Sequence, residues 1–170
     1  ISYEDGLKII KERAGKMAEI GEDEPGAMAA VVNFDVNKLK IILEDNKNDI
    51  VIANYNTFDQ IILSGKKQSV ENLIKESKKH NIRRIIALNV SGAFHSPIMK
   101  NARIYLEKFI KSTKFNMAKT PIYQNVNPFK NFDSEKIKSN LLNQLDKPVE
   151  WSTIITNMKN DGFKDFIEVG

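Results

Sequence analysis

Between residues 26 and 90, apolar runs of strand length alternate with amphipathic stretches of helix length, and no other feature restricts the fold so sharply. AMAAVVNF, after the acidic turn GEDEPG at 21–26, reads as a strand. DVNKLKIILEDN follows as a helix with Asp35 as N-cap and Val36, Leu39, Ile42 and Leu43 on one side. DIVIANY and QIILSG read as two strands joined by the turn NTFD. KKQSVENLIKESKKHN then predicts a helix with Val70, Leu73 and Ile74 inward, and IRRIIALNV a last strand.

The order βαββαβ is that of the ferredoxin-like arrangement, a four-stranded antiparallel sheet with two helices on one face. That arrangement hosts many unrelated functions, so it does not assign one. The RNA-recognition variety needs an aromatic-rich strand motif, and neither DIVIANY nor IRRIIALNV supplies it. The flanks differ in pattern. Before the block, Leu7, Ile10, Ala14, Met17 and Ile20 fall at helical spacing from Tyr3 to Ile20, with Asp5 and Gly6 as the entry. After it, a helix is expected to start at Ser96-Pro97, with Ser as cap, and to bury Met99, Ala102, Leu106, Phe109 and Ile110. TPIYQNVN predicts a strand closed by Asn127-Pro128. SEKIKSNLLNQL and VEWSTIITNMKNDG predict helices, and DFIEVG a final strand. The expected division is therefore 1–25, 26–90 and 91–170, and a chain that begins on an isolated helix and ends on a strand is expected to be incomplete at both ends.

Composition narrows the chemistry. The chain has 170 residues, 41% hydrophobic and 28% charged, a balance suited to a soluble globular protein with a real core. With no cysteine and only His80 and His95, disulfides, thiol nucleophiles and multi-histidine metal sites are all set aside, and no metal is expected. No run approaches membrane-spanning length and no signal peptide is visible, so a cytoplasmic location and no membrane partner are expected. Lys+Arg number 26 against 22 Asp+Glu, but the lysines are dispersed, which argues against nucleic acid. Arginine occurs only at 13, 83, 84 and 103, and its planar fork suits it to carboxylates or phosphates.

His95 lies between a strand end and a helix start, where α/β enzymes present reactive groups. It reads either as a general base for a hydroxyl nucleophile or as a structural histidine packed at the helix start. His80, in KESKKHN, suits a helix C-terminal capping role. Arg13 reads as a carboxylate ligand or as a salt-bridge partner of Glu12, and Arg83 and Arg84 as a solvated strand edge. Gln144 reads as a helix-terminating residue whose carbonyl is free to accept a proton from a histidine ring nitrogen.

The succession GAMAAVVNFD, ANYNTFDQIILSG, VSGAFHSPIM, NQLDKPVEWS and FIEVG resembles the malonyl-CoA:acyl carrier protein transacylase family, in order and spacing, across almost the whole chain. The resemblance implies an α/β fold with a ferredoxin-like small subdomain, residues 26–90, inserted in an incomplete α/β-hydrolase-like large one to which residues 1–25 and 91–170 would belong. It implies that His95 activates a serine, that Arg13 clamps the malonyl carboxylate, and that the Gln144 main-chain carbonyl orients His95. Phe94, in Ala93-Phe94-His95, resembles the form associated with malonyl preference, and Asn54 and Asn56 fall in a stretch with a supporting role. The implied partners are malonyl-CoA and acyl carrier protein, with no cofactor beyond the coenzyme A thioester as substrate.

The departures are specific. That family's nucleophile sits in a Gly-x-Ser-x-Gly elbow, and no such motif occurs in these 170 residues. Leu63-Ser64-Gly65 lacks the first glycine, and by the family spacing the serine stands roughly a dozen residues before Ile1. Thr57-Phe58-Asp59-Gln60 replaces the usual Ser-Pro-Gly-Gln. The expectation is an acyltransferase piece that is inactive alone. The alternatives are a polyketide-type acyltransferase using another extender unit, or a noncatalytic ferredoxin-like binding module.

Overall fold

Ser2 opens the first helix by accepting a hydrogen bond from the Asp5 N–H, and the helix α1 runs from Tyr3 to Asp23. The structure, a computed structural model, describes residues 1–46, 49–80 and 82–169. The buried side of α1 is Ile9, Met17 and Ile20, whereas Leu7, Ile10 and Ala14 are exposed. Met17 and Ile20 are thus buried as expected, and the expected stripe is corrected in its first half, where Ile9 takes the inward place of Leu7, Ile10 and Ala14. The helix carries apolar residues on two sides, and packing against a later helix selects between them.

β1 (Gly26–Val32), α2 (Val36–Asp45), β2 (Ile50–Tyr55), β3 (Gln60–Lys66), α3 (Lys67–Glu76) and β4 (Arg84–Ala87) follow in the expected order. The four strands form one sheet in the order β2-β3-β1-β4, with every neighbouring pair antiparallel. Strand alternation divides the residues between two faces. Ala29, Val31, Ile61 and Leu63 point to α2 and α3, where Leu39, Ile42, Val70 and Leu73 close a core. Met28, Ala30, Ala53 and Ile62 point the other way, against Leu88 and Phe94. Asp35 caps α2 by accepting from the Asn37 and Lys38 N–H groups, as its position predicts.

Two elements are shorter than their patterns. α3 ends at Glu76, because past Ile74 the run KESKKH offers nothing apolar to bury and helices of this length depend on packing. His80 lies in the turn after that helix and meets its end through the main chain, its N–H donating to the Glu76 carbonyl. The Asn81 end of the expected helix lies outside the described residues. β4 covers only Arg84–Ala87 of the expected 82–90, with one further bond from the Leu88 N–H to the Met28 carbonyl. Arg84 opens that edge strand and Arg83 precedes it, and both are exposed, as expected.

Beyond the sheet, a single 3-10 turn at Pro97–Met99 leads into α4 (Lys100–Ser112). Ser96 does not cap it by its side chain; its buried hydroxyl donates to the Ala93 carbonyl at 2.7 Å. β5 (Ile122–Gln124) and β6 (Asn127–Asn131) form a hairpin, so Asn127-Pro128 begins a second strand rather than closing the first. Both strands of a two-stranded ribbon are edges, which is where a proline lacking N–H is tolerated. α5 (Ser134–Asn143) and α6 (Trp151–Asn160) complete the elements. Residues 163–169 are not the expected final strand. A strand needs a neighbour for its N–H and C=O groups, none pairs with it among the described residues, and Phe166, Ile167 and Val169 are exposed; Gly170 is outside the described range.

A second core joins Ile9, Met17 and Ile20 of α1 to Met99, Ala102, Leu106 and Ile110 and to Leu145. Phe94 packs against both this core and the rear face of the sheet. Main-chain bonds add a second tie: the Tyr55 N–H donates to the Val149 carbonyl at 2.9 Å, and the Val149 N–H to the Ala53 carbonyl at 2.8 Å.

Candidate active site

The loop from β4 to α4 reaches its position because two glycines let it approach. A Cβ on Gly26 would lie 2.4 Å from the Ala93 nitrogen, and one on Gly21 would lie 2.5 Å from the Ser91 carbonyl oxygen. The end of α1 and the start of β1 thereby hold residues 91–93 against main chain. Two residues later, His95 adopts a left-handed backbone with φ 56°, an arrangement that a non-glycine residue keeps only where its surroundings enforce it. Buried Ala93 and the Ser96–Ala93 hydrogen bond enforce it here.

The His95 ring then meets the C-terminal end of α5. Gln144 is the C-cap, so its carbonyl has no intrahelical partner, and it lies 2.8 Å from His95 Nδ1. The Lys147 carbonyl lies 3.2 Å from the same nitrogen. Carbonyl oxygens only accept, so Nδ1 carries the hydrogen and the neutral ring keeps its lone pair on Nε2. No described residue hydrogen-bonds Nε2. Burial pushes the imidazole below its ordinary range; the two carbonyl bonds oppose this and the nearby Arg13 charge adds to it, so the ring is neutral at pH 7.

Arg13, Phe94 and His95 line one open cleft of about 650 Å³ with Asn54 and Asn56. Met28 and Ile62, from the sheet face away from α2 and α3, also line it. Arg13 does not pair with Glu12, whose carboxylate instead accepts from the Tyr105 hydroxyl at 2.7 Å. Among the described residues Arg13 has no ion-pair partner. Partial burial draws its pKa down, yet a guanidinium stays cationic, so the cleft holds an unneutralised cation beside a neutral imidazole. Asn54 enters the cleft at a register shift in the β2–β3 pairing. A register shift leaves a backbone irregularity next to the site, as bulges commonly do. Ser64, by contrast, is fully buried inside β3, and its neighbour Gly65 would place a Cβ 1.8 Å from the Asp49 carbonyl oxygen; this is strand, not a nucleophile turn.

The Lys147 carbonyl and the apolar floor at Met28 and Ile62 are additions that residue-level reading did not reach. A main-chain acceptor has no side-chain signature. Strand alternation, applied to β1 and β3, would have found the floor.

An unpaired guanidinium and a backbone-oriented neutral imidazole in one cleft can hold an anionic group beside a proton acceptor. The chain belongs to the acyl transferase domain family, whose pattern it matches over residues 1–170. It is similar to the malonyl CoA-acyl carrier protein transacylase of Staphylococcus aureus, with 35% identity over 100% of this chain and 56% of that protein. The Synechocystis transacylase is 33% identical over 99% of this chain and 55% of that protein. Among solved structures, the Streptococcus pneumoniae MCAT superposes with a TM-score of 0.90 at 27% identity, over 100% of this chain and 56% of that one. The Synechocystis malonyl-CoA:ACP transacylase gives 0.86 at 31% identity, over 95% and 53%. The chain thus spans about half the length of the curated relatives it matches. No helix among the described residues is long and apolar enough to cross a membrane.

Proposed function

We propose that these residues are the central and C-terminal part of an enzyme that moves a malonyl group from malonyl-CoA to the phosphopantetheine thiol of acyl carrier protein, in cytoplasmic fatty acid synthesis. The observation that carries this reading is His95, whose Nδ1–H is engaged by the Gln144 and Lys147 carbonyls in the cleft that Arg13 shares. In this reading residues 26–90 are the ferredoxin-like insertion and the flanks belong to an α/β-hydrolase-like larger unit. The nucleophilic serine lies outside the 170 residues.

His95 Nε2 takes the serine proton as the oxygen attacks the thioester carbonyl. The tetrahedral intermediate collapses, the C–S bond breaks, and the imidazolium returns the proton to the departing coenzyme A thiolate. The carrier thiol then attacks the seryl ester by the same steps in reverse. Gln144 does through its carbonyl what an aspartate does in a Ser-His-Asp triad, holding the ring in one tautomer. Arg13 binds the free carboxylate through two parallel hydrogen bonds, Phe94 bounds the acyl group, and the Asn54 and Asn56 amides add polar contacts. A thioester is activated already, so the steps need no metal or cofactor.

Intact-mass measurement with malonyl-CoA tests the reading. The full-length protein is expected to gain one malonyl group and lose that gain in His95→Ala, while the 170-residue chain alone gains none. Absence of label on the full-length protein would overturn the transacylase assignment, and an adduct on the 170-residue chain would overturn the placement of the serine. Competition among malonyl-, methylmalonyl- and acetyl-CoA separates this reading from a polyketide-type acyltransferase.

A further inference from the structure

Of the four arginines, Arg103 is half-buried and has no part in the proposed reaction, yet its guanidinium bridges both sides of the residue that orients His95. Its Nη1 donates to Asn143 Oδ1 at 3.3 Å, and its Nε lies 3.1 Å from Asp146 Oδ2. Asn143 is the last residue of α5 and Asp146 stands in the following turn, so the two contacts bracket Gln144. The Asp146 side chain is only 9% exposed. Its Oδ1 and the Arg103 Nε lack an aligned hydrogen bond, so the contact holds as a charge pair out of water.

We propose that the Arg103–Asp146 pair is a positioning device that fixes the 143–147 turn against α4 and thereby aims the Gln144 and Lys147 carbonyls at His95 Nδ1. The inference rests on the reading of His95 as the base. α4 follows His95 after one 3-10 turn, so the ring and the turn that holds it are referenced to the same helix. The other ties of this turn are α5 before the first carbonyl, Val149 bridged to β2 beyond the second, and Leu145 buried against α4 between them; Leu145 sets the depth of the turn, and the pair adds a directed polar tie to the same helix. A loosened turn frees the neutral ring to take up the Nε2–H tautomer, in which the lone pair sits on the wrong nitrogen for base chemistry.

The test uses the full-length protein with ¹⁵N-labelled histidine, read above the imidazole titration, together with malonyl transfer kinetics. Asp146→Asn removes the charge at constant shape, and the double variant Arg103→Met/Asp146→Leu removes both charges, so that a result is available if the single variant fails to fold. Both are expected to convert the Nδ1–H tautomer into a mixture and to lower kcat by on the order of tenfold, with KM within about twofold. Arg103→Lys, which keeps the charge, is expected to show a smaller loss of each than the charge-removing variants. A folded double variant that retains the Nδ1–H tautomer and full kcat would overturn the proposal. Transfer that survives in His95→Gln would instead overturn the base assignment, and the tautomer shift would still report whether the pair positions the ring.

Discussion

At His95 three influences act on one proton: burial and the Arg13 charge push the ring toward neutrality, and the two carbonyls oppose them. The neutral form is the base, so acid switches it off, and a depressed pKa moves that loss to lower pH. The acid limb of kcat/KM in the full-length protein is therefore expected below the usual histidine range; a limb at or above it would show that the ring is not the titrating base. The same shift has a folding counterpart. The unfolded chain binds a proton on this ring more readily than the folded one, so the stability contributed above the ordinary imidazole value is lost as pH falls through the lower folded value. Arg13 gives a second expectation: Arg13→Ala should lower kcat/KM for malonyl-CoA by on the order of a hundredfold while sparing acetyl-CoA, narrowing the preference measured in competition. By residue type alone His95, Arg13 and Gln144 each carried a structural reading beside the chemical one, and the family resemblance of the motifs around them singled out the chemical one. Lys147 did not, since its side chain takes no part.

Strand and helix order over 26–90 was legible because period-2 and period-3.6 patterns there each have one apolar face, and the sheet uses both sides of its alternation. α1 was harder, with apolar residues on two sides and only the packing of α4 to choose between them. DFIEVG shows the opposite limit, a strand-like composition without a partner. Gly26 marks where an element meets the site. Gly26→Ala is expected to cost about 1–3 kcal/mol in chemical denaturation, because its Cβ would meet Ala93 backbone that has little room to move. A loss of transfer activity larger than the loss of folded protein would show that residues 91–95 shift with it.

Across the whole molecule, two cores meet at Phe94 and at the Val149 bridge to β2. Phe94→Ala is expected to destabilise by about 2–3 kcal/mol and to split the thermal transition, since the aromatic contact between the cores is then gone. A single transition of unchanged width would mean that the main-chain bridge suffices. The cleft exists because these two bodies join, with Arg13 on one and Met28, Asn54 and Ile62 on the other. The groups that aim His95 belong to neither body's side chains. They are peptide carbonyls at positions 144 and 147, and an alanine scan, which trims only what projects beyond Cβ, would pass over both without a signal. At these two positions the orienting chemistry lies in the route of the polymer and not in what projects from it. In a distant relative the orienting groups are therefore to be sought by superposing backbones, since a peptide carbonyl is common to every residue type.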